Sequence, residues 1–165
     1  MTLKGKAYCF GDHINTDLII AGRYCHLPAE EMARHVMEDE DATFVDRFEK
    51  GGIIVGQRNF GCGSSREEAP STLKAAGISC VIARSFARIF YRNCVNIGLP
   101  ILECPQACQA VEEGHELSID TTKGTIKDET TGALFQAAPF PEFMRNLIDG
   151  GGLMADARRR LAAKS

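Results

Sequence analysis

Arg58-Asn59-Phe60-Gly61-Cys62-Gly63-Ser64-Ser65-Arg66-Glu67-Glu68-Ala69-Pro70 follows closely on the apolar run Ile53-Ile54-Val55. Two glycines free the backbone, two hydroxyls follow, and the acids Glu67 and Glu68 open a helical stretch. Acids belong in a first helical turn, where the helix carries about half a positive charge; an arginine does not. Arg66 therefore points to a missing anion, held between its guanidinium and the N–H groups of Gly63 to Ser65. Pro70 fixes the helix start, because a proline is tolerated only where its absent N–H would be unpaired anyway. The helix begins no earlier than about Glu67, which leaves Ser65 and Arg66 at its mouth.

Working outward, the pattern is strand, helix, strand, helix, strand. Gly51-Gly52 introduces the run 53–55, a helix runs to about Ala76, and Gly77 ends it. Ile78 to Ala83 is a second apolar run. Ser85 is the expected cap of a helix through about Val95, with Phe86, Ile89 and Phe90 facing inward. Leu99 to Leu102 follows Gly98. Continuous apolar runs alternating with helices argue for an α/β fold around a parallel sheet buried on both faces.

Towards the N-terminus, Gly5–Cys9 reads as a strand, Asp12–Thr16 as a turn, Leu18–Ile20 as a short apolar run and Ala21–Leu27 as a loop. Pro28 opens a helix in which Ala29, Met32, Ala33, Val36 and Met37 repeat at helical spacing. Residues beyond 103 read as additions. They comprise a short helix from Pro105, a strand with Leu117 and Ile119, a turn at Lys123-Gly124 and a helix from Pro141. A glycine break at 150–152 then precedes a basic helix over 153–165, either a solvated face or a surface that docks on a partner chain.

The whole chain, 165 residues, suits one domain, and a domain of that size buries about 70% of its unfolded surface. A net charge of −3 does not suggest a nucleic-acid surface. No run is long and apolar enough for a membrane span, and the start Met1-Thr2-Leu3-Lys4-Gly5-Lys6 lacks a signal-peptide core; cytoplasmic residence is the expectation. Seven cysteines at irregular spacing, with no C-x-x-C pair, read as free thiols rather than a metal site. Cys104 and Cys108 could share a helix face, but two ligands make a poor site. Cys62 is either a small filler or a thiol activated beside Arg66 and a helix start. His13, His35 and His115 suggest no partner and read as structural or solvated.

Several chemistries are excluded. No lysine follows the glycines as a P-loop requires. Arg66 stands where a dinucleotide fingerprint needs its third glycine. Ser64 lacks the flanking glycines of a nucleophile elbow. Carboxylate handling fits, with a serine acting as proton acceptor only if clustered donors stabilise its alkoxide. The same stretch also reads as a structural glycine turn capped by Ser65, with Arg66 paired to a surface acid.

Gly61-Cys62-Gly63-Ser64-Ser65-Arg66-Glu67 resembles the Gly-x-Gly-Ser-Ser-Arg-Glu signature of the aconitase superfamily swivel domain. Asn15-Thr16-Asp17 is similar to that family's Thr-Asp segment. Ser85-Phe86-Ala87-Arg88-Ile89-Phe90-Tyr91-Arg92-Asn93, followed by Gly98-Leu99-Pro100, is similar to its Ser-Phe-Ala-Arg-Ile segment. Order and spacing agree over residues 8–103. Within the superfamily the chain looks like the free-standing small subunits of the isopropylmalate dehydratase family, in their short, archaeal-like form.

The resemblance implies a swivelling β/β/α domain with a mostly parallel central sheet, and a two-chain hydro-lyase. The partner large subunit would carry a [4Fe–4S] cluster, with none bound by this chain. The substrate would be a malate-type di- or tricarboxylate; for isopropylmalate, loss and re-addition of water moves the hydroxyl from C2 to C3 in leucine biosynthesis. By the same resemblance Ser64 is the general base, and Ser65, Arg66 and Gly63 hold the substrate. Thr16 and Asp17 support them. Arg23, Tyr24, Cys25, His26 and Leu27 form the loop that selects the substrate's side chain. Relatives that bind an extra carboxylate place an arginine there. His26 at the matching position, with Arg23 earlier, favours an uncharged substituent and leaves homoaconitate-type and dimethylmalate-type acids open. A third reading is a non-catalytic module that binds carboxylates or RNA.

Overall fold

Strand β1 (Thr2–Cys9) changes partner along its length, and that change organises the sheet. Its second half, Ala7 to Cys9, pairs in parallel with Ile53 to Val55 of β2 (Ile53–Val55). Its first half, Thr2 to Lys6, pairs antiparallel with β5 (Glu116–Asp120). The computed structural model describes residues 1–164; Ser165, the end of the expected basic tail, lies outside them. Among the described residues seven strands form one sheet in the order β4-β3-β2-β1-β5-β6-β7, with β3 at Cys80–Ala83, β4 at Ile101–Glu103, β6 at Thr125–Asp128 and β7 at Leu134–Gln136.

The β1–β4 half is parallel and is the expected core; the β5–β7 half is an antiparallel meander. All residues of β2 and β3 are buried, as strands covered on both faces must be. In β5 only Leu117 and Ile119 are fully buried, the alternation of a one-sided strand. Leu117 and Ile119 made β5 legible. Strands β6 and β7 carry no apolar alternation: β6 has the single large apolar residue Ile126, and β7 only the adjacent pair Leu134-Phe135.

Helix α4 (Glu68–Ala76) crosses from β2 to β3, and α5 (Arg88–Ile97) from β3 to β4. They pack on each other. Gly77 at φ 95 closes α4, whose start at Glu68 agrees with the limit set by Pro70. Two details of α5 differ from expectation. Ser85 is not its cap: the hydroxyl instead accepts from the Asn59 N–H at 2.8 Å, and Ala87 is the N-cap residue. Ile89 is half exposed while Phe90 is buried, because the helix begins at Arg88 and turns Ile89 outward.

The N-terminal segments also differ. Asn15 caps a one-turn helix α1 (Thr16–Ile19), its side chain accepting from Leu18 N–H at 2.9 Å, where the sequence suggested only a turn and an apolar run. The helix expected from Pro28 to Met37 is broken into α2 (Ala29–Met32) and a 3-10 turn at Ala33–His35. Val36 is then extended, and Met37 adopts φ 59 with its N–H bonded to the Ile19 carbonyl at 2.9 Å. The apolar repeat was informative about burial, since Met32, Val36 and Met37 are all buried. Tertiary pairing with Ile19 overrode the helical period. Helix α3 (Phe44–Arg47), a single turn with no side-chain cap, is not among the elements expected from the sequence.

The remaining helices are α6 (Pro105–Ala110), α7 (Glu142–Asp149) and α8 (Leu153–Ala163). The glycine break before α8 is a packed corner: Gly152 is buried and its N–H donates to the Leu147 carbonyl at 2.7 Å. On α8, Arg160 pairs with Asp156 at 2.7 Å and Arg159 donates to the Gly150 carbonyl at 2.9 Å, so part of the basic tail is tied to its own chain.

His115 does have a partner, thirteen residues away. Asp128, buried in β6, accepts from His115 Nδ1 at 2.7 Å and from the N–H groups of Thr130 and Thr131 at 3.0 and 3.2 Å. Burial pushes this carboxyl up, but those donors outweigh it and hold it below the ordinary carboxylate value. With the lower pKa in the folded state, its contribution is present above the unfolded value of about 3.9 and is lost as pH falls through the folded one. Asp128→Asn is therefore expected to lower the melting temperature at pH 7, with the gap to wild type narrowing below about pH 4. A gap that stays constant down to pH 3 would contradict this.

Candidate active site

The loop between β2 and α4 is pinned from both sides. The Gly61 N–H donates to the Ile14 carbonyl at 2.7 Å, and the Thr16 N–H donates to the Cys62 carbonyl at 2.8 Å. Below, Phe60 pairs with the segment before α5: its N–H donates to the Ser85 carbonyl, and its carbonyl accepts from Ala87. The rings of Phe60, Phe86 and Phe90 pack together under the loop, with Phe60 centroids 6.1 and 5.6 Å from the other two. Gly63 takes φ 98, which an L side chain resists, and a Cβ there would stand 3.4 Å from Thr16 Oγ1.

Those anchors leave a short exposed arc. Ser64 and Ser65 are exposed, and the backbone N–H groups of Gly63, Ser64 and Ser65 meet no acceptor among the described residues. Ser65 does not cap α4; Glu67 is the N-cap residue and makes no side-chain cap. Ser64 Oγ lies 3.2 Å from Thr16 Oγ1. Thr16 is itself buried, so this neighbour is held in place by α1. Arg66 pairs with Asp17 at 2.6 Å and reaches Cys25 Sγ at 3.9 Å. Its guanidinium also lies over Gly22, where a Cβ would come within 3.3 Å of both terminal nitrogens. Thr16, Asp17, Ser64, Ser65 and Arg66 thus converge, from two segments almost fifty residues apart.

The loop 22–27 divides. Gly22–Tyr24 is a 3-10 turn. Arg23 makes a two-point pair with Asp39 at 2.6 and 3.0 Å. Tyr24 stacks on His35, with centroids 3.8 Å apart and planes 9° from parallel, and its hydroxyl donates to Glu38 at 3.0 Å. His35, like His115, therefore has a partner: Glu38 accepts from its Nδ1 at 2.6 Å. Cys25 donates weakly to the Ala21 carbonyl and abuts Arg66. Leu27 is half-buried against the core. His26 is exposed, with no hydrogen bond or ion pair among the described residues. Glu38 and Asp39 were not singled out from the sequence; an acid pair distant from any motif gives no local signal of what it clasps.

Among the described residues no three His, Cys, Asp or Glu side chains gather where they could hold a metal ion. Cys80, Cys94, Cys104 and Cys108 are buried. Burial pushes the thiols of Cys80 and Cys94 far up and that of Cys108 to about 12, so these are core residues rather than nucleophiles. Cys62 is half-buried, and Arg66 is turned to Asp17 and Cys25 rather than to it. No helix of the described residues is long and apolar enough to cross a membrane.

The aconitase C-terminal domain profile matches residues 16–107. The chain is 55% identical over 156 residues to the 3-isopropylmalate dehydratase small subunit of Caldicellulosiruptor saccharolyticus, covering 93% of this chain and 90% of that one. It is 54% identical over 155 residues to the 2,3-dimethylmalate dehydratase small subunit of Eubacterium barkeri, covering 93% and 95%. Its backbone superposes on the crystal structure of 3-isopropylmalate dehydratase (leuD) from Methanocaldococcus jannaschii with a TM-score of 0.94, at 36% identity, over 99% of this chain and 98% of that one.

Proposed function

The chain belongs to the aconitase C-terminal domain family, and on that premise we propose that it is the small subunit of a two-chain hydro-lyase acting on isopropylmalate. The observation that supports this most is the exposed arc at the mouth of α4. The two exposed hydroxyls of Ser64 and Ser65, the Arg66 guanidinium and three N–H groups without an acceptor among the described residues lie together there. That arc is half a site: it can hold a carboxylate and take a proton, but it encloses nothing.

Arg66 and the N–H groups of Gly63 to Ser65 hold a substrate carboxylate. Asp17 keeps the guanidinium aimed while the site is empty and yields part of it to the incoming anion. Ser64 Oγ, as alkoxide, takes the proton on the carbon next to that carboxylate, and the hydroxyl on the adjacent carbon departs as hydroxide with the C–O electron pair; it takes up a proton from solvent to become water, and Ser64 returns its own to solvent to restore the alkoxide. Re-addition with the carbons exchanged gives the isomer. The Thr16 hydroxyl, 3.2 Å away, donates to the Ser64 oxygen when it is negative. A [4Fe–4S] cluster held by the large subunit supplies the Lewis acid for the departing hydroxyl. This chain's own part is binding, orientation and the proton, performed in the cytoplasm.

A second reading has a specific observation behind it. The Eubacterium barkeri relative is named for dimethylmalate at essentially the same identity. Both acids carry uncharged substituents, which suits a loop whose Arg23 is engaged by Asp39. The test is to combine the chain anaerobically with its cognate large subunit and compare isopropylmalate, dimethylmalate and homocitrate. Turnover of isopropylmalate only in the mixture is expected. A stable complex with an intact cluster and no turnover of any of these acids would overturn the assignment.

A further inference from the structure

The turn Gly22–Tyr24 lies between two charged groups with different surroundings. On one side, the Arg66 guanidinium lies against Gly22 and Cys25. On the other, five side chains interlock. Glu38 accepts from the Tyr24 hydroxyl, from His35 Nδ1 and, at 3.4 Å, from Arg23. Tyr24 is stacked on His35, and the Arg23 guanidinium stands 4.7 Å over the Tyr24 ring. Asp39 takes Arg23 at two points. Met37, in its left-handed conformation and bonded to Ile19, turns the chain just before Glu38 and Asp39.

We propose that Glu38 is a positioning residue for substrate specificity, holding the turn 22–24 so that Cys25, His26 and Arg66 present one fixed outline to the substrate. This rests on the isopropylmalate reading above. The clasp is too exposed to serve global stability, because ion pairs at the surface add little to it. Its geometry instead ties together the two ends of a short path: Glu38 to Tyr24, Tyr24 to Gly22, Gly22 to Arg66. Strong mutual pairing fits this role: hydrogen bonding to His35 and then Tyr24 holds the Glu38 carboxyl below its ordinary value against its partial burial, and Arg23 does the same for Asp39. Arg23, so engaged, is removed from substrate reading, and discrimination falls to Cys25, His26 and Leu27.

Glu38→Gln and Tyr24→Phe, each assembled with the large subunit, test this, with the exposed Asp46→Asn as a control for loss of one negative charge. Expected in both variants is a rise of about tenfold in KM for isopropylmalate with kcat within about twofold, as for loss of ground-state positioning. The ratio of kcat/KM for isopropylmalate to that for dimethylmalate should move about fivefold, and the melting temperature by no more than about 2 °C. A readout without turnover is the alkylation of Cys25 by iodoacetamide, followed by peptide mapping; it should quicken several-fold in Glu38→Gln and not in Asp46→Asn. Unchanged Cys25 alkylation would show that the clasp does not hold the loop and would overturn the proposal. So would faster alkylation with KM and the substrate ratio unchanged, or kcat and melting temperature falling together. A wild-type complex inactive on every acid would sink the isopropylmalate reading instead, and Cys25 alkylation would still judge the clasp.

Discussion

Ser64→Ala, assembled with the large subunit, is expected to lose 10²- to 10⁴-fold in kcat (roughly the worth of a positioned general base) while KM changes little. The structure separates this loss from misfolding. The Ser64 side chain is exposed, and among the described residues its hydrogen-bond partner is the Thr16 hydroxyl at 3.2 Å. Removing that contact costs about 1 kcal/mol, a few degrees of melting temperature at most for a chain of this length. Arg66, its Asp17 partner and the N–H groups of the arc are untouched by the change, so the carboxylate binding proposed for them is expected to survive. The measurement is kcat and KM of the complex, with the elution volume of the assembly as a check. Near-wild-type kcat would remove Ser64 from the role of base and direct attention to Ser65, the other exposed hydroxyl of the arc.

What could be read beforehand follows from the range of each interaction. The strand–helix alternation from Ile53 to Leu102 was legible because each element carries its own period and stop signal: Gly77 and Gly98 both sit left-handed at helix ends, and Pro70 marks where α4 can begin. Arg66 was legible as an anomaly because the rule it breaks is local. Its two readings turn out to be compatible, since the surface acid it pairs with is Asp17, one residue from the threonine beside Ser64. Pairings across irregular chain were not legible. Neither the break of the 29–37 repeat at Val36 nor the Ser85 hydroxyl bonding Asn59 has a local cause: each exists because a distant backbone group needs a partner. The same holds for His35 and His115, whose acids lie on an unmarked turn (Glu38) and at the end of β6 (Asp128). The clasp around Glu38 is built wholly from such pairings, and that is why a side chain so near the candidate site gave no signal.

The largest expected effect on stability is at Gly61, which joins the exposed arc to the aromatic layer. Its φ is 82, and a Cβ placed there would stand 2.1 Å from Phe90 Cγ and 2.5 Å from Phe90 Cβ. Two costs combine in Gly61→Ala. A left-handed backbone angle for an L residue costs about 1 kcal/mol, and overpacking in a filled core costs about 1–3 kcal/mol more. Phe90 cannot swing clear, because it is buried between Phe60 and Phe86. At about 2–4 °C per kcal/mol for a domain of this size, the melting temperature should fall on the order of 5–15 °C. Gly11→Ala is the matched control: its φ is ordinary and nothing lies within 4 Å of the added methyl, so no fall is expected. Phe90→Leu separates the two costs. If the clash dominates, Gly61→Ala and Phe90→Leu together destabilise by clearly less than their sum, since the smaller side chain makes room for the methyl. If the backbone angle dominates, the two add. A Gly61→Ala chain that melts with the wild type would show that the loop shifts freely over the aromatic layer, and the rigid placement of Ser64 beside Thr16 would lose its physical basis.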